Sequence, residues 1–278
     1  YTEDMCKEVI RGLHDQMQAD GRLQDTGVGC VFAMEEGETE WVFYDDVTGE
    51  ALDWEGVMKA REEEIEEFRK HGVYHKVPIT KCYEATGKAP IGVRWIDINK
   101  GDKGAPEYRS RLVAKEIKRE SRIDLFAATP PLEAKKLLCS MAVTKGVGYI
   151  HDKKKGMKID SIDIRRAYFR AKARRQVFVK LPPEDDEEGM CGELGKSMYG
   201  TRDAFQNWDE EYGSTMLKLG FNKGLASPCV FYHEKRNLRV VVHGDDFTII
   251  GLAIDSDWFK ERITDKYEIK HRGRLGLG

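Results

Sequence analysis

Lys158-Ile159-Asp160-Ser161-Ile162-Asp163-Ile164 reads as a β-strand whose end carries an aspartate between two isoleucines. A carboxylate is expensive in an otherwise apolar strand. Eighty-two residues after Asp163 a second acidic pair, Asp245-Asp246, sits at the tip of a hairpin whose β-branched arms are Arg239 to His243 and Phe247 to Ile250. If the two strands are neighbours, the acids converge into an all-oxygen site suited to magnesium, which is held by one or two carboxylates plus substrate phosphates. Two such ions would clamp the attacking and leaving oxygens of an in-line phosphoryl transfer. Taken alone, Gly244-Asp245 reads first as an ordinary hairpin turn, and its context decides.

Outward from this centre, the spacing predicts a helix over Leu52 to Lys70, with Trp54, Val57, Met58, Ile65 and Phe68 as its apolar stripe and Glu62 to Glu67 as its wet face. Val73 to Val77, Ile91 to Ile98 and Arg109 to Ala114 read as strands that pair in a small antiparallel sheet, separated by turns at Ala85 to Lys88 and Lys100 to Gly104. After Pro130-Pro131, Glu133 to Thr144 reads as a helix. The clearest helix is Thr201 to Leu219, where Phe205, Trp208, Tyr212, Met216 and Leu219 recur at three- and four-residue steps. Asp255 to Thr264 follows as a helix and Lys266 to Lys270 as a strand. Helices and antiparallel strands alternate irregularly, so the fold class is α+β.

The chain has 278 residues, 40% apolar and 34% charged, and its mean hydropathy is −0.58. No apolar run approaches the ~18 residues of a membrane span, and the N-terminal thirty residues lack a signal-peptide layout. The expected setting is intracellular, cytoplasmic or nuclear, with no membrane partner. Six cysteines lie far apart without a CxxC pair, which predicts reduced thiols and gives no zinc motif. The net charge of −3 hides segregation: residues 35–67 hold fourteen Asp or Glu against Lys59 and Arg61, whereas residues 151–180 hold eleven Lys or Arg against three Asp. A basic window of that density suits a phosphate backbone, although a solvated charged face would look the same. Gly192 to Ser197 lacks the first glycine of a phosphate-binding P-loop, because position 190 is Met190.

Ordered blocks from about Leu52 onward resemble the reverse transcriptases of copia-type long-terminal-repeat retrotransposons. They are Val93-Arg94-Trp95, Tyr108 to Lys115, Ile162 to Phe169, Val179-Lys180-Leu181-Pro182-Pro183, Lys196 to Gly200, Trp208, Gly220-Phe221 and Val242 to Asp246. The resemblance implies a right-hand polymerase with fingers mainly at 73–130 and palm mainly at 131–278. An antiparallel palm sheet would pack on helices, and the thumb would be absent or truncated. Residues 1–50 are expected as a connector or truncated neighbour.

The same resemblance implies Asp163, Asp245 and Asp246 as catalytic carboxylates, with the Ile164 carbonyl as a further ligand to two Mg2+ ions, for which Mn2+ can substitute. Arg109, Arg111 and Lys115 would fold over the incoming triphosphate, joined by Arg166. Tyr168 would lie under the sugar and select deoxynucleotides. Arg165, Arg170, Lys172, Arg174 and Arg175 would contact nucleic acid. A primer 3'-hydroxyl would attack the α-phosphate of a dNTP on an RNA or DNA template. The implied partners are an RNA template, a DNA primer, and the rest of a Pol polyprotein with integrase upstream and thumb and ribonuclease H downstream.

Two departures stand out. His243-Gly244-Asp245-Asp246 replaces the family's Tyr-Val-Asp-Asp, and His243 is expected as a hydrogen-bonded packing residue. Asp203 stands where a neutral glutamine is usual, and an unpaired acid there would repel a triphosphate, so a partner such as Arg202 is expected. A decayed or repurposed nucleic-acid-binding remnant is therefore the alternative reading. An RNA-dependent RNA polymerase takes support from Gly-Asp-Asp but fits Tyr168 less well.

Overall fold

The computed structural model describes residues 42–116, 129–149 and 156–276. Most of the expected connector, and Lys153 to Lys155 of the basic window, lie outside the described residues. In chain order the first elements are β1 (Phe43–Tyr44), β2 (Ala51–Leu52), α1 (Trp54–His71), β3 (Tyr74–Pro78), α2 (Ile79–Thr86), β4 (Val93–Asn99), β5 (Tyr108–Ala114) and α3 (Leu132–Val143). Then come β6 (Lys158–Ile164), α4 (Ala167–Arg170), β7 (Phe178–Val179), β8 (Met190–Leu194) and α5 (Ala204–Lys218). The last are β9 (Asn222–Lys223), β10 (Val230–His233), β11 (Leu238–His243), β12 (Asp246–Gly251), α6 (Ala253–Thr264) and β13 (Ile269–Leu275). The class is mixed α/β with antiparallel sheets, as expected. The chain forms two compact units, and both are discontinuous in sequence: 42–70, 74–116 and 177–193 make one, while 71–73, 129–149, 156–176 and 194–276 make the other.

In the first unit Asp53 accepts the Gly56 N–H at 2.7 Å and starts α1. The buried face of α1 is Val57, Ala60, Arg61, Glu64, Ile65 and Phe68. The apolar stripe is thus right at its centre, but Trp54 is exposed and two charged residues take places on the inner face. Arg61 is held there by its partners. Its Nη2 meets Asp97 Oδ2 at 2.6 Å and its Nη1 meets Glu184 Oε1 at 3.1 Å. Its guanidinium lies over the Phe43 and Trp95 rings, 4.5 and 5.1 Å from their centroids. Ser110 Oγ and Trp95 Nε1 donate to the same two carboxylates. The hub therefore joins α1, β1, β4, β5 and the turn at Pro183–Asp185.

β4 and β5 pair from Val93↔Ala114 to Asn99↔Tyr108, as expected. β3 does not join them; it belongs to a separate sheet of order β3-β8-β7. The helix α2 was not expected; only its end, Gly87 at φ 65, was visible as a turn signal. Residues 42–50 are knitted to β4 through Asp45 Oδ2, which accepts the Asn99 N–H at 2.7 Å, and Asp46 Oδ2, which accepts the Asp97 N–H at 2.9 Å.

The second unit is built on one six-stranded sheet of order β13-β6-β12-β11-β10-β9. On one face Ile162, Ile164, Val240, Val242, Phe247 and Ile249 pack with Trp208, Tyr212 and Met216 of α5 and Phe259 and Ile263 of α6. On the other, Ile159, Val241 and Ile250 pack with Leu138 of α3. Burial on both faces accounts for the β-branched runs, each large apolar side chain contributing roughly 1.5–3 kcal/mol. The last strand begins later than expected, because the N–H groups of Lys266 and Tyr267 bond back to Ile263 O and finish α6.

Candidate functional site

The register of the second sheet assembles a polar row near one end. Asp246 of β12 lies opposite Asp163 of β6, His243 of β11 lies opposite Asp246, and Lys270 of β13 lies opposite Asp163. Directly opposed residues of an antiparallel pair share a face, with Cβ atoms roughly 4.5–5.5 Å apart. Asp163 and Asp246 are therefore side by side. The Ile164 N–H donates to Asp245 O at 2.9 Å, so the hairpin turn is stitched to the strand that carries Asp163.

That turn is held from behind. Gly244 sits at φ 64, the left-handed position where a two-residue hairpin loop calls for glycine. Its carbonyl accepts the indole N–H of fully buried Trp208 at 2.8 Å. Asp245 is exposed on the turn, and His243 is exposed as well rather than packed as expected. An edge of the row facing solvent removes the need for a packing partner.

Asp163 already has a cation. Arg272 Nη2 of β13 forms an ion pair with Asp163 Oδ2. A β-bulge falls between His271, opposite Ile162, and Gly273, opposite Ser161, and it leaves Arg272 without a register partner. The bulge also shifts Arg274 opposite Asp160. Asp160 is fully buried and accepts from Arg274 Nε at 3.0 Å and His271 Nε2 at 3.0 Å, with Lys260 Nζ at 3.3 Å. Burial pushes its carboxyl up, but these hydrogen bonds and charges outweigh it and hold the group below its ordinary value.

After Asp163 the chain turns sharply through Arg166, a non-glycine residue at φ 50, into the short helix α4. Tyr168 is half-buried, its ring meeting Tyr199 edge-on with centroids 4.8 Å apart. Phe169 is a core side chain. Arg165 Nη1 pairs with Glu268 Oε1 at 2.8 Å, and Arg170 reaches the other oxygen of Glu268 at 3.8 Å. Arg174 pairs with Glu210, and Lys172 is exposed. Arg175 Nη2 meets Asp203 Oδ1 at 2.8 Å, so the ion pair of Asp203 is with Arg175 rather than the expected Arg202. Burial raises the Asp203 carboxyl, but Arg175 and Asn207 outweigh it and keep it below the ordinary range.

In the first unit Arg109, Arg111 and Lys115 fall at alternate positions on and just after β5 and share one face of the β4–β5 ribbon. The intervening Ser110, Leu112 and Ala114 are buried. The stem of Lys115 runs over Gly92, where an added Cβ would lie 3.1 Å from Lys115 Cε.

Among the described residues no three His, Cys, Asp or Glu side chains are gathered as a ligand set. The sheet provides the Asp163/Asp246 pair, with Asp245 on the adjoining turn. An all-oxygen pair of carboxylates fits a hard divalent cation that keeps several waters. Arg272, Lys270, Glu268 and Tyr199 were missed in the sequence. The signal available was Gly273, since glycine inside a strand pattern marks a bulge.

A family model described as reverse transcriptase (RNA-dependent DNA polymerase) matches residues 80–276. The chain belongs to this family. Among similar proteins, the retrovirus-related Pol polyprotein from transposon TNT 1-94 of Nicotiana tabacum is 25% identical over 206 residues, 70% of this chain and 14% of that protein. The retrovirus-related Pol polyprotein from transposon RE1 of Arabidopsis thaliana is 24% identical over 168 residues, 58% of this chain and 11% of that protein. The transposon Ty1-MR1 Gag-Pol polyprotein of Saccharomyces cerevisiae is 26% identical over 118 residues, 42% of this chain and 6% of that protein. The chain thus spans a small part of the relatives it matches, and the copia-type resemblance stands.

Proposed function

We propose that this chain is the fingers and palm of an RNA-directed DNA polymerase that extends a DNA primer with deoxynucleotides on an RNA or DNA template. The observation that carries the proposal is the cross-strand adjacency of Asp163 and Asp246 beside the Asp245 turn, in a chain of the reverse transcriptase family. The six-stranded sheet serves as the palm and the β4–β5 ribbon belongs to the fingers.

Asp163 and Asp246, with Asp245 and the Ile164 carbonyl, are the groups that would hold divalent cations. Bound there, Mg2+ or Mn2+ would supply positive charge to the attacking and leaving oxygens of nucleotidyl transfer. The rest is positioning and charge from the chain itself. Arg109, Arg111, Lys115 and Arg166 bind the triphosphate and offset the charge that grows on it. Tyr168, braced by the Tyr199 ring, lies under the sugar and leaves no room for a 2'-hydroxyl. Arg165, Arg170, Lys172, Arg174 and Arg175 follow the template-primer backbone. The remainder of a Pol polyprotein completes the enzyme.

Primer extension on an RNA template with Mg2+ or Mn2+, offering deoxynucleotides and ribonucleotides in parallel, tests the proposal. Deoxynucleotide extension that disappears in Asp163→Ala is the expected result. Retained binding of template-primer with no extension, also in a longer chain continued past Gly278, would make the protein a nucleic-acid-binding remnant instead.

A further inference from the structure

We propose that Arg272 is a built-in counter-cation of the carboxylate pair, which a divalent ion must displace from Asp163 before it can bind. The inference rests on the proposed metal-holding role of Asp163 and Asp246 and goes beyond it by assigning a competitor within the chain.

Three observations carry it. Asp163 and Asp246 are opposed across β6 and β12, and like charges in that arrangement repel. Arg272 Nη2 is on Asp163 Oδ2, the side of Asp163 being 16% exposed and that of Arg272 50% exposed. The pair is therefore shielded at the carboxylate, while the guanidinium has open space into which it can withdraw. Finally, the contact is built by the backbone rather than by a chance rotamer. The bulge of β13 removes Arg272 from the ladder, and Gly273, at φ 145, supplies the conformation that the bulge requires.

The same bulge anchors the strand from the other side of the sheet. His271 and Arg274 are both tied to buried Asp160, and Arg274 is tied also to Asp257 at 2.6 Å. Arg272 is thereby held at Asp163 by a strand that does not depend on the Asp163 contact for its own place. Displacement of the guanidinium costs the ion pair and leaves the strand paired. Arg272 is a positioning residue: it sets how much cation the site needs and touches no reacting atom.

The test uses the whole chain and Mn2+ as the probe, with binding read by the electron paramagnetic resonance of free Mn2+ and unfolding followed with Mn2+ and with EDTA. Arg272→Leu removes the charge; Arg272→Gln removes it while keeping length and polarity, and carries the same expectation where leucine disturbs the bulge. Both variants are expected to bind Mn2+ roughly two- to fivefold more tightly than the wild type, the worth of a partly exposed ion pair. Both are also expected to unfold earlier in EDTA and to recover more on adding Mn2+. A purely structural arginine would give the earlier unfolding without the tighter binding, and that outcome overturns the inference. Asp163→Asn separates the two levels. If it abolishes Mn2+ binding while the Arg272 variants bind like wild type, the metal site stands and the counter-cation role falls. If neither the wild type nor the Arg272 variants take up Mn2+, both fall.

Discussion

The indole N–H of Trp208 donates to the carbonyl oxygen of Gly244 at 2.8 Å, so a side chain at the centre of the second unit's core holds the turn that carries Asp245. Packing and chemistry are coupled through this one bond. Trp208→Phe keeps an aromatic ring but leaves the Gly244 carbonyl without its donor. It is expected to cost about 1–3 kcal/mol in urea unfolding. Primer extension should fall further than stability does, because the turn loses its support. Equal extension at a temperature where both proteins are folded would show that the turn holds its shape unaided.

In the first unit the buried cation Arg61 serves two carboxylates, Asp97 and Glu184. Replacing it by methionine preserves bulk and leaves buried Asp97 and half-buried Glu184 without their cation, and breaking a buried pair typically costs about 3–5 kcal/mol. The expected result is a large loss in the unfolding midpoint, and the double variant Arg61→Met with Asp97→Asn should recover part of it. Additive losses in that cycle would mean the two residues do not interact.

What the sequence made legible follows from period and chemistry. The spacing of Trp208, Tyr212 and Met216 predicts α5, and β-branched runs predict β6, β11 and β12, because burial on a sheet or helix face leaves a pattern along the chain. The pairing of Asp163 with Asp246 was legible only as a condition, since register between strands distant in sequence has no local signature. The hub of Arg61 and the cluster at Asp160 were not legible. Each depends on charges brought together from elements far apart in the chain, and a buried charge looks like a surface charge in a sequence. The same holds for Arg175 as the partner of Asp203, twenty-eight residues away. The helix α2 escaped because Ile79 to Thr86 has one buried residue, Cys82, too few to show a helical period.

Asp160 gives a pH dependence with a definite sign. Its folded carboxyl lies below the ordinary value of about 3.9, through Arg274, His271 and Lys260 acting against burial. Its contribution is therefore complete above that ordinary value and is lost as the pH falls through the lower folded value. Wild-type stability should decline on acidification below about pH 4. Asp160→Asn should be less stable at neutral pH, by about 3–5 kcal/mol as for a broken buried pair, and flatter in the acid range. Urea midpoints from pH 2 to 7 read both effects. Parallel acid limbs in the two proteins would mean that Asp160 does not carry the linkage.

Tyr168 is the residue on which sugar choice rests in the proposed polymerase. Its ring meets Tyr199 edge-on, and Tyr199 in turn meets buried Phe169 at 5.7 Å, so the gate is braced by the core of its own unit. Tyr168→Ala removes the ring and should relax the preference for deoxynucleotides by roughly 10- to 100-fold, read as the ratio of kcat/KM for matched dNTP and rNTP. Tyr168→Phe keeps the ring and should keep the preference. Tyr199→Ala leaves the gate in place but unbraced, so it should relax the ratio partly. A Tyr168→Ala protein that folds, extends primers and discriminates like the wild type would remove Tyr168 from that role and shift sugar selection to another side chain.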